Sequence, residues 1–137
     1  MAVEIKVIKR RKLSKAERAE IHNKYNGHCA YCGCEIDISK MQVDHVKPLR
    51  IGGTDTMDNM MPACRSCNHY KATFDVEGFR NYLSGISHRL MRDSIPFQVG
   101  IRFGLIKHMK DDVTFYFETH VPDINVESMN NYTEELI

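Results

Sequence analysis

Five cysteines carry the first chemistry in this chain: Cys29, Cys32, Cys34, Cys64 and Cys67. Four of them form two pairs, Cys29-x-x-Cys32 and Cys64-x-x-Cys67. An odd cysteine count argues against a disulfide framework. A CxxC turn presents two thiolates at about 2.3 Å from one zinc, and two such turns complete a tetrahedron. The spacing therefore predicts a structural Zn²⁺ site made by Cys29, Cys32, Cys64 and Cys67. A redox CxxC explains neither the second copy nor the absence of a βαβ pattern around each pair. A closed four-thiolate site leaves no position for substrate, so this metal should hold the fold and take no part in a reaction. Cys34 remains as a free or buried thiol.

The 31 residues between the pairs must fold into something. Met41-Gln-Val-Asp-His-Val46 alternates and is β-branched, which predicts a short strand ending before Pro48. Gly52-Gly53-Thr-Asp reads as a loop. Asn59-Met60-Met61 reads as a second short strand, stopped by Pro62. A helix is expected from Asn68 onward. The order is knuckle, strand, loop, strand, knuckle, helix. It predicts an α+β unit, a two-stranded hairpin packed on a helix and pinned at one end by metal.

These pieces resemble the HNH nuclease family, whose core is the ββα-metal fold. The matching residues are Cys29-x-x-Cys32, Asp44-His45-x-x-Pro48, Gly52-Gly53, Asn59 and Cys64-Arg-Ser-Cys67-Asn68-x-x-Lys71, over about residues 25–75. Each fragment is weak alone, but together and in order they are specific. One departure is that the third signature position holds Asn68 where His is common, an H-N-N version. His69 follows directly and is the alternative ligand if the register slips by one.

The resemblance implies DNA phosphodiester hydrolysis that leaves 5′-phosphate and 3′-hydroxyl ends. Its chemistry asks for these residue types. Histidine, ordinarily titrating near 6.5, is the side chain best poised to deprotonate water near neutral pH. His45 is expected in that role. A hard divalent cation, Mg²⁺ or Mn²⁺, takes oxygen ligands, here the Asp44 carboxylate and the Asn68 amide. Asn59 is expected to hold the interstrand loop so that His45 points correctly. Arg65 and Lys71, near the helix start, are expected to contact DNA phosphates. Each residue also has an ordinary reading: a surface histidine, a simple Asp-His pair, a turn asparagine, and Asn68 as a helix N-cap.

The flanks add elements and charge. Ser14-Lys-Ala-Glu17 is a capping-box pattern that predicts a helix from Lys15 to about Tyr25. Before it, Lys9, Arg10, Arg11 and Lys12 form a basic arm suited to a phosphate backbone or to plain solvation. Val76 to Met91 reads as one amphipathic helix. Pro96 to Lys107 is ambiguous between helix and strand. Val113-Thr-Phe-Tyr-Phe-Glu118 reads as a strand.

The 137 residues suggest one domain. It divides into a basic arm (1–13), a nuclease domain with flanking helices (14–92) and a C-terminal extension with an acidic tail (93–137). Residues 1–24 carry eight Lys/Arg against three acids, and residues 111–137 carry seven acids with no Lys or Arg. This asymmetry fits a polyanion at the front. No apolar run approaches the length of a membrane span, and no secretory h-region opens the sequence, so an intracellular, cytoplasmic protein of bacterial or phage origin is expected. DNA is the expected partner, with a homodimer or a phage or restriction machine as further candidates. The rival reading is a catalytically silent zinc-stapled module that binds DNA or a protein partner.

Overall fold

A computed structural model describes residues 10–107 and 111–120. Lys9, the rest of the arm before it, and the acidic tail beyond His120 lie outside the described residues. Helices α1 (Lys15–Asn23), α2 (Arg65–Lys71), α3 (Val76–Ser84), α4 (Ile86–Asp93), α5 (Ile95–Arg102) and α6 (Tyr116–Thr119) surround a two-stranded antiparallel sheet, β1 (Gln42–His45) and β2 (Met60–Ala63). The architecture is α+β. Among the described residues no helix is long and apolar enough to cross a membrane.

Local chemistry explains most of these bounds. Ser14 accepts from the Glu17 amide and Glu17 from the Ser14 amide, a complete capping box for α1. The hairpin pairs Val43 with Pro62 and Asp44 with Met61. Pro62 therefore does not stop β2, contrary to expectation. In an antiparallel ladder alternate residues turn their N–H away from the partner strand, and Pro62 occupies such a place without losing a bond. Its carbonyl accepts from the Ala30 amide at 2.9 Å, which joins β2 to the first cysteine turn.

Two more expectations are corrected. The helix over Val76 to Met91 is broken into α3 and α4 at Gly85, which caps one and opens the other. The predicted strand Val113–Glu118 is an extended approach followed by the short helix α6. Among the described residues it pairs with no strand. Instead the Tyr116 and Phe117 amides donate to the Tyr31 and Ala30 carbonyls at 3.0 and 2.8 Å. The ambiguous segment from Pro96 to Lys107 is helical as far as Arg102, with Ser94 capping the Phe97 amide.

The core lies between α1, the hairpin, α3 and the 113–117 segment. Ile21, Tyr31, Met41, Val43, Met60, Phe79 and Phe115 are buried together. Phe79 stacks on Phe115 with centroids 5.4 Å apart, and Tyr31 meets both edge-on. Arg80 clamps the segment from outside with an ion pair to Glu118 at 2.8 Å.

Candidate active site

The second cysteine pair starts α2 rather than preceding it. Cys64 is the N-cap and accepts from the Cys67 amide, so the helix begins three residues earlier than expected. Asn68 consequently sits inside the helix, which removes the N-cap reading. The sulfurs of Cys29, Cys32, Cys64 and Cys67 lie within 4.8 Å of one another. A tetrahedron with bonds of about 2.3 Å has edges of about 3.8 Å, and the Cys32 and Cys64 sulfurs are 3.8 Å apart. The four thiols fit a tetrahedral metal. Cys29 is pushed down to about 4, chiefly by the Cys67 thiol that donates to it. Cys34 is exposed and stands outside the cluster.

Next to this staple a cleft of about 230 Å³ opens along β1. Its lining includes Asp44, His45 and Asn68, with Arg10 and Arg50 beside them. Asp44 and His45 are at the end of β1, where every residue from Val43 on is buried. Asn68 reaches the cleft from α2, with Ala72 one turn further along the same flank. The Asn68 side chain makes no hydrogen bond to any described residue. His69 is exposed and does not line the cleft.

Each of these groups is held. His45 Nε2 is 2.8 Å from Asp55 Oδ1. Asp55 in turn accepts from the Arg11 amide at 2.8 Å. That amide, and then His45, hold the Asp55 carboxyl below the ordinary aspartate value. Asn59 accepts from the Lys47 amide at 3.0 Å and donates to the Lys47 and Thr54 carbonyls at 2.9 and 2.8 Å. It ties together both ends of the loop that carries Asp55. Asp44 Oδ2 accepts from the Tyr31 hydroxyl and lies 2.9 Å from the Lys71 ammonium. Tyr31 lies between Cys29 and Cys32, so one residue of the first cysteine turn also touches the cleft carboxylate. Burial, then the Asp44 charge, drives the Tyr31 phenol upward, so it stays protonated and donates.

The cationic residues named from sequence separate. Lys71 is fully buried, and its ammonium is spent on Asp44 and the His45 carbonyl. It cannot reach a phosphate, and that expectation is withdrawn. Arg11 pairs with Glu17 at 2.8 Å while serving Asp55. Arg10 donates to the Val43 carbonyl at the cleft rim. Lys12 and Arg65 are exposed and make no ion pair with a described residue. Sequence reasoning missed Asp55, Arg50 and Tyr31. The Gly-Gly-Thr-Asp loop held the only local signal for Asp55, because an acid ten residues after a histidine has no fixed meaning without the turn.

The donor set fits a hard divalent ion. A carboxylate and an unengaged amide oxygen converge on one cleft, and neither is a soft ligand. The strand-loop-strand-helix unit sets a four-cysteine cluster that fits a metal beside a cleft lined by a carboxylate, an imidazole and an amide. Residues 29–73 match the HNH endonuclease family. The CRISPR-associated endonuclease Cas9 of Corynebacterium diphtheriae (strain ATCC 700971 / NCTC 13129 / Biotype gravis) is 34% identical over 65 residues, 45% of this chain and 6% of that protein. The crystal structure of the Type II-C Cas9 enzyme from Actinomyces naeslundii aligns with a TM-score of 0.49 at 18% identity, covering 93% of this chain and 13% of that one. The chain thus spans a small fraction of the length of these relatives.

Proposed function

We propose that this chain hydrolyses DNA phosphodiester bonds with the help of a divalent cation, on a core stapled by zinc. The observation that supports it is the convergence of His45, Asp44 and Asn68 on one cleft rimmed by Arg10 and Arg50. Asp55 engages Nε2 of His45, which leaves Nδ1 for the attacking water. The water gives its proton to Nδ1 as its oxygen bonds to phosphorus, and the bond from phosphorus to the 3′ oxygen breaks in line. Arg10 and Arg50 hold the flanking phosphates in this reading. Asp44 and Asn68 would hold Mg²⁺ or Mn²⁺, which when bound neutralises phosphate charge and steadies the leaving oxygen. Asp55 and Asn59 act through His45 by fixing its ring and its loop.

A supercoiled-plasmid assay tests this reading in Mg²⁺, Mn²⁺ or EDTA, on the wild type and on His45→Ala. Nicking or linearisation that needs metal and disappears in His45→Ala is expected, and the nicked-to-linear ratio reports one-strand or two-strand cutting. Uncut plasmid in every metal, with one zinc per chain verified, overturns the catalytic reading in favour of a silent DNA-binding or partner-dependent module.

A further inference from the structure

Lys71 is a buried charge that the hydrolytic scheme does not use. It is 0% exposed. Its ammonium lies 2.9 Å from Asp44 Oδ2, donates to the His45 carbonyl at 3.0 Å and stands 5.9 Å from the centre of the Tyr31 ring. Both donors to Asp44 meet on Oδ2, which fixes the carboxylate and leaves Oδ1 to neither of them. A buried charge must be compensated, and Lys71 compensates Asp44 before any cation arrives.

The surrounding charges give this pairing a consequence. Asp44 is cancelled by Lys71, and Asp55, held by His45 and the Arg11 backbone amide, does not line the cleft. Arg10 and Arg50 remain on the lining. The cleft is therefore neutral at its floor and positive at its rim. Such a cleft attracts a phosphate and holds a lone divalent cation weakly. A DNA phosphate brings the negative charge that the cation lacks.

We propose that Lys71 is a resident counter-ion that keeps DNA-free cation affinity low, so that the divalent cation and the scissile phosphate bind as a coupled pair. The coupling is reciprocal: the cation must tighten DNA by the same factor by which DNA tightens the cation. This rests on the nuclease reading and on Asp44 as a cation ligand.

The test is Mn²⁺ binding followed by electron paramagnetic resonance on the zinc-loaded full chain, in a His45→Ala background that prevents turnover. That background keeps the backbone carbonyl that Lys71 uses. The quantity read is the component lost in Asp44→Ala. A short DNA duplex should tighten it at least about tenfold, about 1.4 kcal/mol. Adding Lys71→Met should tighten DNA-free Mn²⁺ by about tenfold or more and shrink the effect of the duplex. Misfolding cannot raise a site's affinity, so a gain is diagnostic. Equal or weaker Mn²⁺ affinity in folded Lys71→Met overturns the proposal. If that variant does not fold, Lys71→Gln, which keeps a donor and drops the charge, decides: DNA-free Mn²⁺ tightening several-fold supports the proposal, and no change overturns it. A signal that Asp44→Ala leaves intact, with or without duplex, removes the cation site itself, a failure of the functional reading that is distinct from a failure of the Lys71 role.

Discussion

At the scale of single residues, the cleft depends on groups that touch no substrate. Asp55 fixes the ring of His45, so Asp55→Asn keeps the shape and loses the charge. We expect a 10–100-fold fall in plasmid cleavage, with zinc content and circular dichroism unchanged; an unaltered rate would show that His45 does not rely on Asp55. The same group has a pH signature. Its carboxyl is held below the ordinary value of 3.8, so its contribution to stability is complete above that pH and is lost as the pH falls through the depressed value. The difference in thermal midpoint between wild type and Asp55→Asn should hold steady through neutral pH and narrow below about 3.8. Legibility at this scale follows chemistry type. The cysteine pairs, Asp44, His45 and Asn68 stand at short spacings with a recognised meaning, so sequence singled out residues that the structure brings together. Asp55, Arg50 and Tyr31 act through tertiary contacts, and Lys71 looked like a surface cation until α2 turned it inward.

At the scale of elements, the loop between the strands sets the aim of the site. Gly52 ends a tight turn at φ +94°, a left-handed conformation that favours glycine. Gly53 is constrained differently. A Cβ there would lie 1.8 Å from the Lys47 carbonyl oxygen and 2.8 Å from that of Pro48, both backbone atoms that cannot swing aside. Gly53→Ala must therefore shift the loop, pulling Asp55 from His45 and breaking the Asn59 clamp. Cleavage should fall at least tenfold while zinc stays bound, and the amide signals of residues 47–59 should be the ones that move; uniform changes across the spectrum would point to global damage instead. The hairpin was legible because alternation and two glycines marked it. The 113–118 segment misled because aromatic alternation suits a strand equally well. Its partner turned out to be the Tyr31 and Ala30 carbonyls of the knuckle rather than a ladder, which no local pattern announces. The break at Gly85 was readable in principle, since glycine at a helix end is common, but the apolar spacing ran across it.

At the scale of the whole molecule, the four-cysteine cluster, the core and the cleft meet in one side chain. Tyr31 lies inside the first knuckle, packs edge-on to Phe79 and Phe115, accepts at its carbonyl from the Tyr116 amide, and donates its hydroxyl to Asp44. Metal loss should therefore do two things: unfold a small domain whose apolar core is limited, and release the cleft carboxylate. These effects can be separated. Structural zinc contributes its binding free energy to folding, about 10–16 kcal/mol in small zinc domains, as much as the whole stability of a typical domain. Chelation at neutral pH, or Cys32→Ser, should abolish the cooperative thermal transition together with activity. Tyr31→Phe removes only the hydroxyl. It should keep one zinc per chain and a cooperative transition lowered by about 1–3 kcal/mol, because Asp44 loses one of its donors while Lys71 remains. Cleavage should fall further than that modest loss explains, since the carboxylate is no longer fixed from the knuckle side. Measuring zinc content, thermal midpoint and plasmid cleavage on the same Tyr31→Phe sample decides it. Full activity at a lowered midpoint would mean that the knuckle supports the fold alone, and that the cleft carboxylate is held by Lys71 without it.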